Sequence, residues 1–226
     1  MAKDRSLFSK KPAESLVEVN SRAYGRHFRA KRGTYKPAVL NEALKKNGTF
    51  IGVRNKAASQ FRKAVQPIAG NLVNGKFWPD LLSCFSSYYK EHDQLSWHAL
   101  EGFEVNKRYP FDRFGVRFEN GWMGWDDNGK LKIDANKINA PKPHHNDFES
   151  YNLRLYLQTQ EAGQEGFTID QTAIKVTSKG IENHEPLFFS RRQGDLVVLV
   201  KLEGVKEGRI DDALQSTGMK VCLVLG

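Results

Sequence analysis

Apolar positions change their period partway along the chain. Phe50, Val53, Ala57, Phe61, Ala64 and Val65 recur at helical spacing, and Phe77, Trp78, Leu81, Leu82, Phe85, Tyr88 and Tyr89 do so again. The first set predicts a helix that Thr49 caps and Pro67 ends, because proline brings no N–H and its ring clashes with the preceding turn. A shorter helix is expected ahead of it, from Pro37 to about Lys46, with Asn47-Gly48 as its stop. The second set predicts a strongly amphipathic helix whose aromatic stripe belongs to the core, with Cys84 as a small apolar member.

From about Leu100 the period becomes two. Phe103, Val105, Phe114, Val116 and Phe118 alternate with polar residues around Tyr109-Pro110. Asn120-Gly121 reads as a tight hairpin turn and Asp127-Asn128-Gly129 as another, with Leu131-Lys-Ile133 leading out. Further strands are expected at Asn152–Gln158, Ala173–Thr177, Leu187–Ser190, Asp195–Leu202 and Met219–Leu225, punctuated by glycine-bearing turns. Leu196–Val200 and Val221–Leu225 are continuously apolar, which predicts strands covered on both faces. The fold class is therefore α+β. A basic arm (1–36) and a helical segment of two to three helices (37–99) precede an antiparallel β-sandwich or jelly-roll-like domain (100–226).

Composition narrows the class. The 226 residues include 14 Phe, 7 Tyr and 4 Trp, enough apolar area to offset chain entropy. No apolar run approaches the ~20 residues of a membrane-spanning helix, and the first residues lack the apolar core of a secretory signal. Two cysteines, Cys84 and Cys222, make neither a disulfide framework nor a thiolate zinc site. A cytoplasmic location without cofactor is the expectation.

Charge adds an asymmetry. The net charge is +9, yet residues 1–75 hold 16 Lys and Arg against 4 Asp and Glu. The basic character belongs to one third of the chain, which implies an acidic neighbour. Its densest stretch interleaves Arg22, Arg26, Arg29, Lys31, Arg32 and Lys36 with Tyr24, Phe28 and Tyr35, and Arg54, Lys56, Arg62 and Lys63 follow on the first long helix. Arginine forks with aromatic rings suit docking on an acidic protein surface, including a second copy of the chain, and they also suit the phosphates and bases of nucleic acid. A solvated arm is the plain alternative.

The common catalytic frameworks are missing: no Gly-x-Gly-x-x-Gly, no phosphate-cradling Gly-Lys-Ser/Thr loop, no His-Glu-x-x-His, no Cys-x-x-Cys and no Gly-x-Ser-x-Gly. One sparse constellation is worth weighing. His145-x-Asp147 with His184 offers the two histidines and one carboxylate of an iron(II) oxygenase, with Arg191 and Arg192 for an oxo-acid cosubstrate. The surrounding Pro, Asn and Glu read equally as loops with exposed histidines. Trp122 and Trp125, three apart on a hairpin, should face opposite sides, so at least one belongs to the core.

The run Asn47-Gly-Thr-Phe-Ile-Gly-Val-Arg-Asn-Lys-Ala-Ala-Ser-Gln-Phe-Arg-Lys-Ala-Val-Gln-Pro67, with Ala99-Leu-Glu-Gly-Phe-Glu-Val-Asn106 downstream, resembles a set of uncharacterised bacterial proteins of similar length. Those join a basic helical front half to a β-rich back half, and the resemblance implies no activity. The leading expectation is a non-enzymatic, self-assembling structural or interaction protein. Its alternatives are nucleic-acid binding and iron-dependent oxygenation.

Overall fold

A computed structural model describes residues 16–22, 25–30, 41–139, 148–161, 166–177, 180–181, 185–211 and 213–225. In chain order its elements are β1 (Leu16–Ser21), β2 (Gly25–Ala30), α1 (Glu42–Ala69), α2 (Phe77–His92), β3 (Arg117–Phe118), β4 (Met123–Trp125), β5 (Leu131–Ile133), β6 (Ile138–Asn139), β7 (Ser150–Gln160), β8 (Thr168–Thr177), β9 (Gly180–Ile181), β10 (Leu187–Phe189), β11 (Asp195–Lys206), β12 (Arg209–Ile210) and β13 (Thr217–Leu225). The chain is α+β, and every strand pairing among the described residues is antiparallel. The chain divides into two compact units, Met1–Thr49 and Phe50–Gly226.

In the first unit the described residues of the arm form paired strands. Its residues pair as a ribbon, β1 with β2, running from Leu16 opposite Ala30 to Ser21 opposite Gly25. The alternation of strand faces puts Glu18 with Phe28 and Arg26 on one side, and Val17 and Val19 with Arg29 and His27 on the other.

The helical boundaries need correction. A single 28-residue helix replaces the short helix and its Thr49-capped successor. Asn41 supplies the cap, its Oδ1 accepting from the Leu44 N–H at 2.8 Å. Thr49 lies inside the helix, and its hydroxyl donates back to the Lys45 carbonyl at 3.1 Å. Gly48 costs only ~1 kcal/mol in a helix interior, too little to break a long amphipathic run. Pro67 sits in the last turn, and the helix ends two residues later at Ala69, so the lost N–H and the ring's clash with the preceding turn fall where few helical bonds remain.

In the second unit, α1 and α2 bury Ala58, Phe61, Val65, Phe77, Leu81 and Phe85 against one face of a six-stranded sheet that curls as a half-barrel. In that sheet β11 lies between β7 on one side and β13 with β12 on the other, and β8 and β9 continue beyond β7. Alternation along β11 explains its continuous apolar run. Val197 and Leu199 join the helix-side cluster with Tyr156, whereas Leu196, Val198, Val200 and Leu202 join a second cluster with Leu153, Leu155 and Leu157. That second face is covered by Trp122, Met123, Leu131, Ile133 and Ile138 of the small sheets β10–β5–β4 and β3–β6. Both faces are dry, as the apolar strands required.

Asp127-Asn128-Gly129 turns β4 into β5, with Asp126 Oδ1 accepting from Asn128 N and Lys130 N at 3.0 and 2.7 Å. Asn120-Gly121 also turns the chain but joins no hairpin, because β3 pairs with β6. Of the two tryptophans, Trp122 is buried against Phe118, and Trp125 is exposed beneath the Arg191 guanidinium, 4.9 Å away. Gly194 precedes β11 with φ +121°, where a Cβ would stand 2.0 Å from the Gln160 carbonyl oxygen, so this turn admits glycine alone.

Cys222 is the extra residue of a β-bulge. Val198 faces Leu223 and Leu199 faces Val221, which leaves Cys222 unopposed. Burial pushes its thiol up to about 11, with Asp112 adding to the rise and Lys220 opposing it. Iodoacetamide at pH 8 should therefore label native Cys222 roughly a hundredfold more slowly than a free thiol near 8.5, since the thiolate is the nucleophile. Peptide mapping of native and unfolded protein checks this, and labelling at equal rates in the two states would refute it.

Candidate functional site

The residues expected to make contact fall into three groups. Tyr24, Lys31, Arg32, Tyr35 and Lys36 lie outside the described residues, as do His145, Asp147 and His184 of the oxygenase reading. Arg22, Arg26, Phe28 and Arg29 sit on the β1–β2 ribbon or its turn. Arg26 Nε meets Glu18 Oε1 at 3.2 Å, both largely exposed, so the pair adds little stability. Arg22 and Arg29 make no ion pair with any described residue.

The four basic residues of α1 part company. Arg54 and Arg62 turn towards α2: Arg54 Nη1 donates to Ser86 Oγ at 2.9 Å and its guanidinium lies 5.6 Å from the Phe50 ring, while Arg62 stands 5.8 Å from the Trp78 ring. Lys56 and Lys63 line the other flank. There, two adjoining cavities of about 260 and 590 Å³ share Lys56 and Gln60 and run along α1. The first adds Trp97, Gln160 and Asp195, the second Lys63 and Phe167. Gln160 Nε2 donates to Gln60 Oε1 at 3.2 Å, tying the sheet to α1. On the same sheet face, Gln158 is fully buried with neither amide atom hydrogen-bonded among the described residues. The groove has an aromatic wall and an ammonium rim but, among its lining residues, no histidine or cysteine to act as nucleophile or base.

Arg191 and Arg192 have local duties. Arg191 covers Trp125, and Arg192 holds Asp170 through Nε and Nη2 at 3.0 and 3.1 Å.

One polar cluster went unread in the sequence. On the sheet face towards the helices, Glu203 accepts from Arg154 Nε and Lys201 Nζ, each at 2.6 Å. The Glu203 side chain is 8% exposed and that of Lys201 13%, and both line a cavity of about 190 Å³ with Gly70–Leu72 and Thr217. Tyr156, hydrogen-bonded to Arg154, has its hydroxyl pushed up chiefly by burial. The signal was present: Arg154, Lys201 and Glu203 interrupt apolar strands in phase with one face.

Among the described residues the sheet also keeps one long unpaired edge. Beyond β8 only β9 is paired, at Val176 and Thr177, so the outer edge from Thr168 to Lys175 meets no strand among the described residues. The acidic Glu161, Asp170 and Asp195 lie at the sheet end where β7 stops and β8 and β11 start. No family model matches the chain, and neither the curated proteins nor the solved structures show a match to it.

Proposed function

We propose that this chain is a non-enzymatic structural or interaction protein that self-assembles by docking its cationic N-terminal ribbon on an acidic surface of another copy. The observation that carries this is the β1–β2 ribbon itself. Two strands alone are marginal in water, and this pair has no third strand among the described residues. Its unit carries 12 Lys and Arg against 4 Asp and Glu, a net of +8, whereas Phe50–Gly226 carries 23 against 22, a net of +1. Of its three described arginines, Arg26 alone is neutralised by a described residue. A counter-surface supplied by a second molecule would complete both the hydrogen bonding and the charge. Because the contact joins unlike patches, it generates rings or filaments.

Light scattering on the full chain tests the reading. Assemblies should form, and Arg22→Glu, Arg26→Glu and Arg29→Glu combined should raise the dissociation constant tenfold or more, ~1.4 kcal/mol or above. A chain that stays monomeric and binds a single-stranded oligonucleotide with steeply salt-dependent affinity would overturn it in favour of nucleic acid. For that alternative the structure places Lys56 and Lys63 on one flank of α1 and Arg54 and Arg62, which contact α2, on the other.

A further inference from the structure

We infer that the cavity beside Lys201 is a binding site for a small monocarboxylate. The site lies wholly within Phe50–Gly226 and is separate from the ribbon docking proposed above. Its charges do not balance. Arg154, Lys201 and Glu203 stand on one face of β7 and β11, two cations to one anion, so the set keeps a surplus of one positive charge. Both Glu203 oxygens are already taken, Oε2 by Arg154 and Oε1 by Lys201. An ammonium has three N–H donors, and among the described residues Glu203 is the one partner of Lys201. A cation only 13% exposed, with donors to spare, is costly until an anion joins it. Packing does not call for these charges, because apolar side chains of similar size hold such a position as well.

The cavity supplies the room. At about 190 Å³ it is several times the ~30 Å³ share of one liquid water, and Lys201 and Glu203 line it together with the turn that follows α1. Ala69, Leu72 and Leu214 add an apolar wall; the first two are buried and Leu214 is half-buried. An apolar wall beside a surplus ammonium suits a charged head on a short hydrocarbon tail. The carboxylate accepts from the spare Lys201 donors and brings the set to neutrality, and the tail lies on Leu72 and Leu214. Glu203 sets the selectivity. Its own negative charge repels a second one on the ligand, which favours a monocarboxylate over phosphate.

Saturation-transfer NMR on the full chain tests this with sodium butyrate as the probe, and works whether or not the chain assembles. Butyrate should bind saturably with a Kd on the order of 1 mM, and butyramide, its neutral isostere, at least tenfold more weakly. Lys201→Met keeps the length of the side chain and the Arg154–Glu203 pair, and should weaken butyrate tenfold or more. If that variant loses its native circular dichroism, Leu214→Trp decides instead, since it fills the cavity from the half-buried side, retains both cations and should abolish binding. No saturable butyrate signal in the parent, equal affinity for butyramide, or binding unchanged in the folded variants would overturn the site. Inorganic phosphate displacing butyrate at lower concentration than butyrate itself binds would overturn the choice of ligand class.

Discussion

Replacing Phe61 by alanine is expected to destabilise the chain by ~3–5 kcal/mol, the range for deleting a buried phenylalanine ring whose surroundings collapse only in part. Phe61 is fully buried on α1 and lies 6.3 to 6.4 Å, ring centre to ring centre, from Trp97, Phe103 and Phe167. Those rings come from three other parts of the chain. Trp97 opens the 3-10 turn after α2, Phe103 sits in the segment beside β13, and Phe167 leads into β8. The ring therefore fastens helix to sheet at a point where little else can move in. In thermal melts the loss corresponds to a fall of roughly 6–20 °C for a chain of this size. Phe61→Leu, which retains most of the apolar volume, should cost less than half as much. A Phe61→Ala chain within 1 kcal/mol of the parent in urea titration would mean that the aromatic cluster does not join the two layers.

That cluster was the most legible part of the sequence. Helical periodicity placed Phe61, Phe77 and Phe85 on buried faces, because an α-helix repeats its inward position every three to four residues whatever lies opposite. Strand positions in the second half were equally readable, since Leu196–Val200 can be apolar throughout only if both faces are dry. What failed was punctuation. Asn47-Gly48 read as a stop and Thr49 as a new start, yet each costs a long helix little compared with the burial of its apolar stripe, and Pro67 falls two residues short of the helix end at Ala69. Asn120-Gly121 has hairpin chemistry, and Gly121 does take a left-handed φ of +71°, but partner choice is tertiary and β3 found β6. The pairing of β1 with β2 was hidden for the same reason: a basic, glycine-bearing segment shows which residues are charged, and not that two of its strands face one another.

The contact residues were partly legible. Charge counting found the cationic front of the chain, and Arg22 and Arg29 are indeed without carboxylate partners among the described residues. It could not separate Arg54 and Arg62, which serve packing against α2, from Lys56 and Lys63, which rim the groove, since all four look alike on a helical wheel until the neighbouring elements are known. The edge of β8 that is unpaired among the described residues left no trace in the sequence, because a strand reads the same whether one or both of its edges are paired.

Glu203→Gln should be the other severe change, ~1.5–3 kcal/mol, because it removes the anion between two cations that the sheet forces together, the loss staying below that of a fully buried set since Arg154 is 31% exposed. Arg154 and Lys201 stand directly opposite one another on β7 and β11. Like charges in that relation repel, and Lys201, only 13% exposed, has little solvent to screen the repulsion, whereas Arg154 keeps 31% of its side chain in water. Glu203, two residues beyond Lys201 on the same face, receives both at 2.6 Å, so its neutral isostere would leave a surplus of positive charge with little water to hold it. The energetic weight lies in breaking the set and not in having it: a triple replacement by apolar residues of similar size should recover most of the loss. Urea titrations of the parent, the single variant and the triple variant decide the matter. Added salt should restore little of the lost stability, since screening acts weakly on buried charges. A loss below 1 kcal/mol would show that Arg154 and Lys201 can each reach water without Glu203, and that the cluster is a surface feature despite its low exposure.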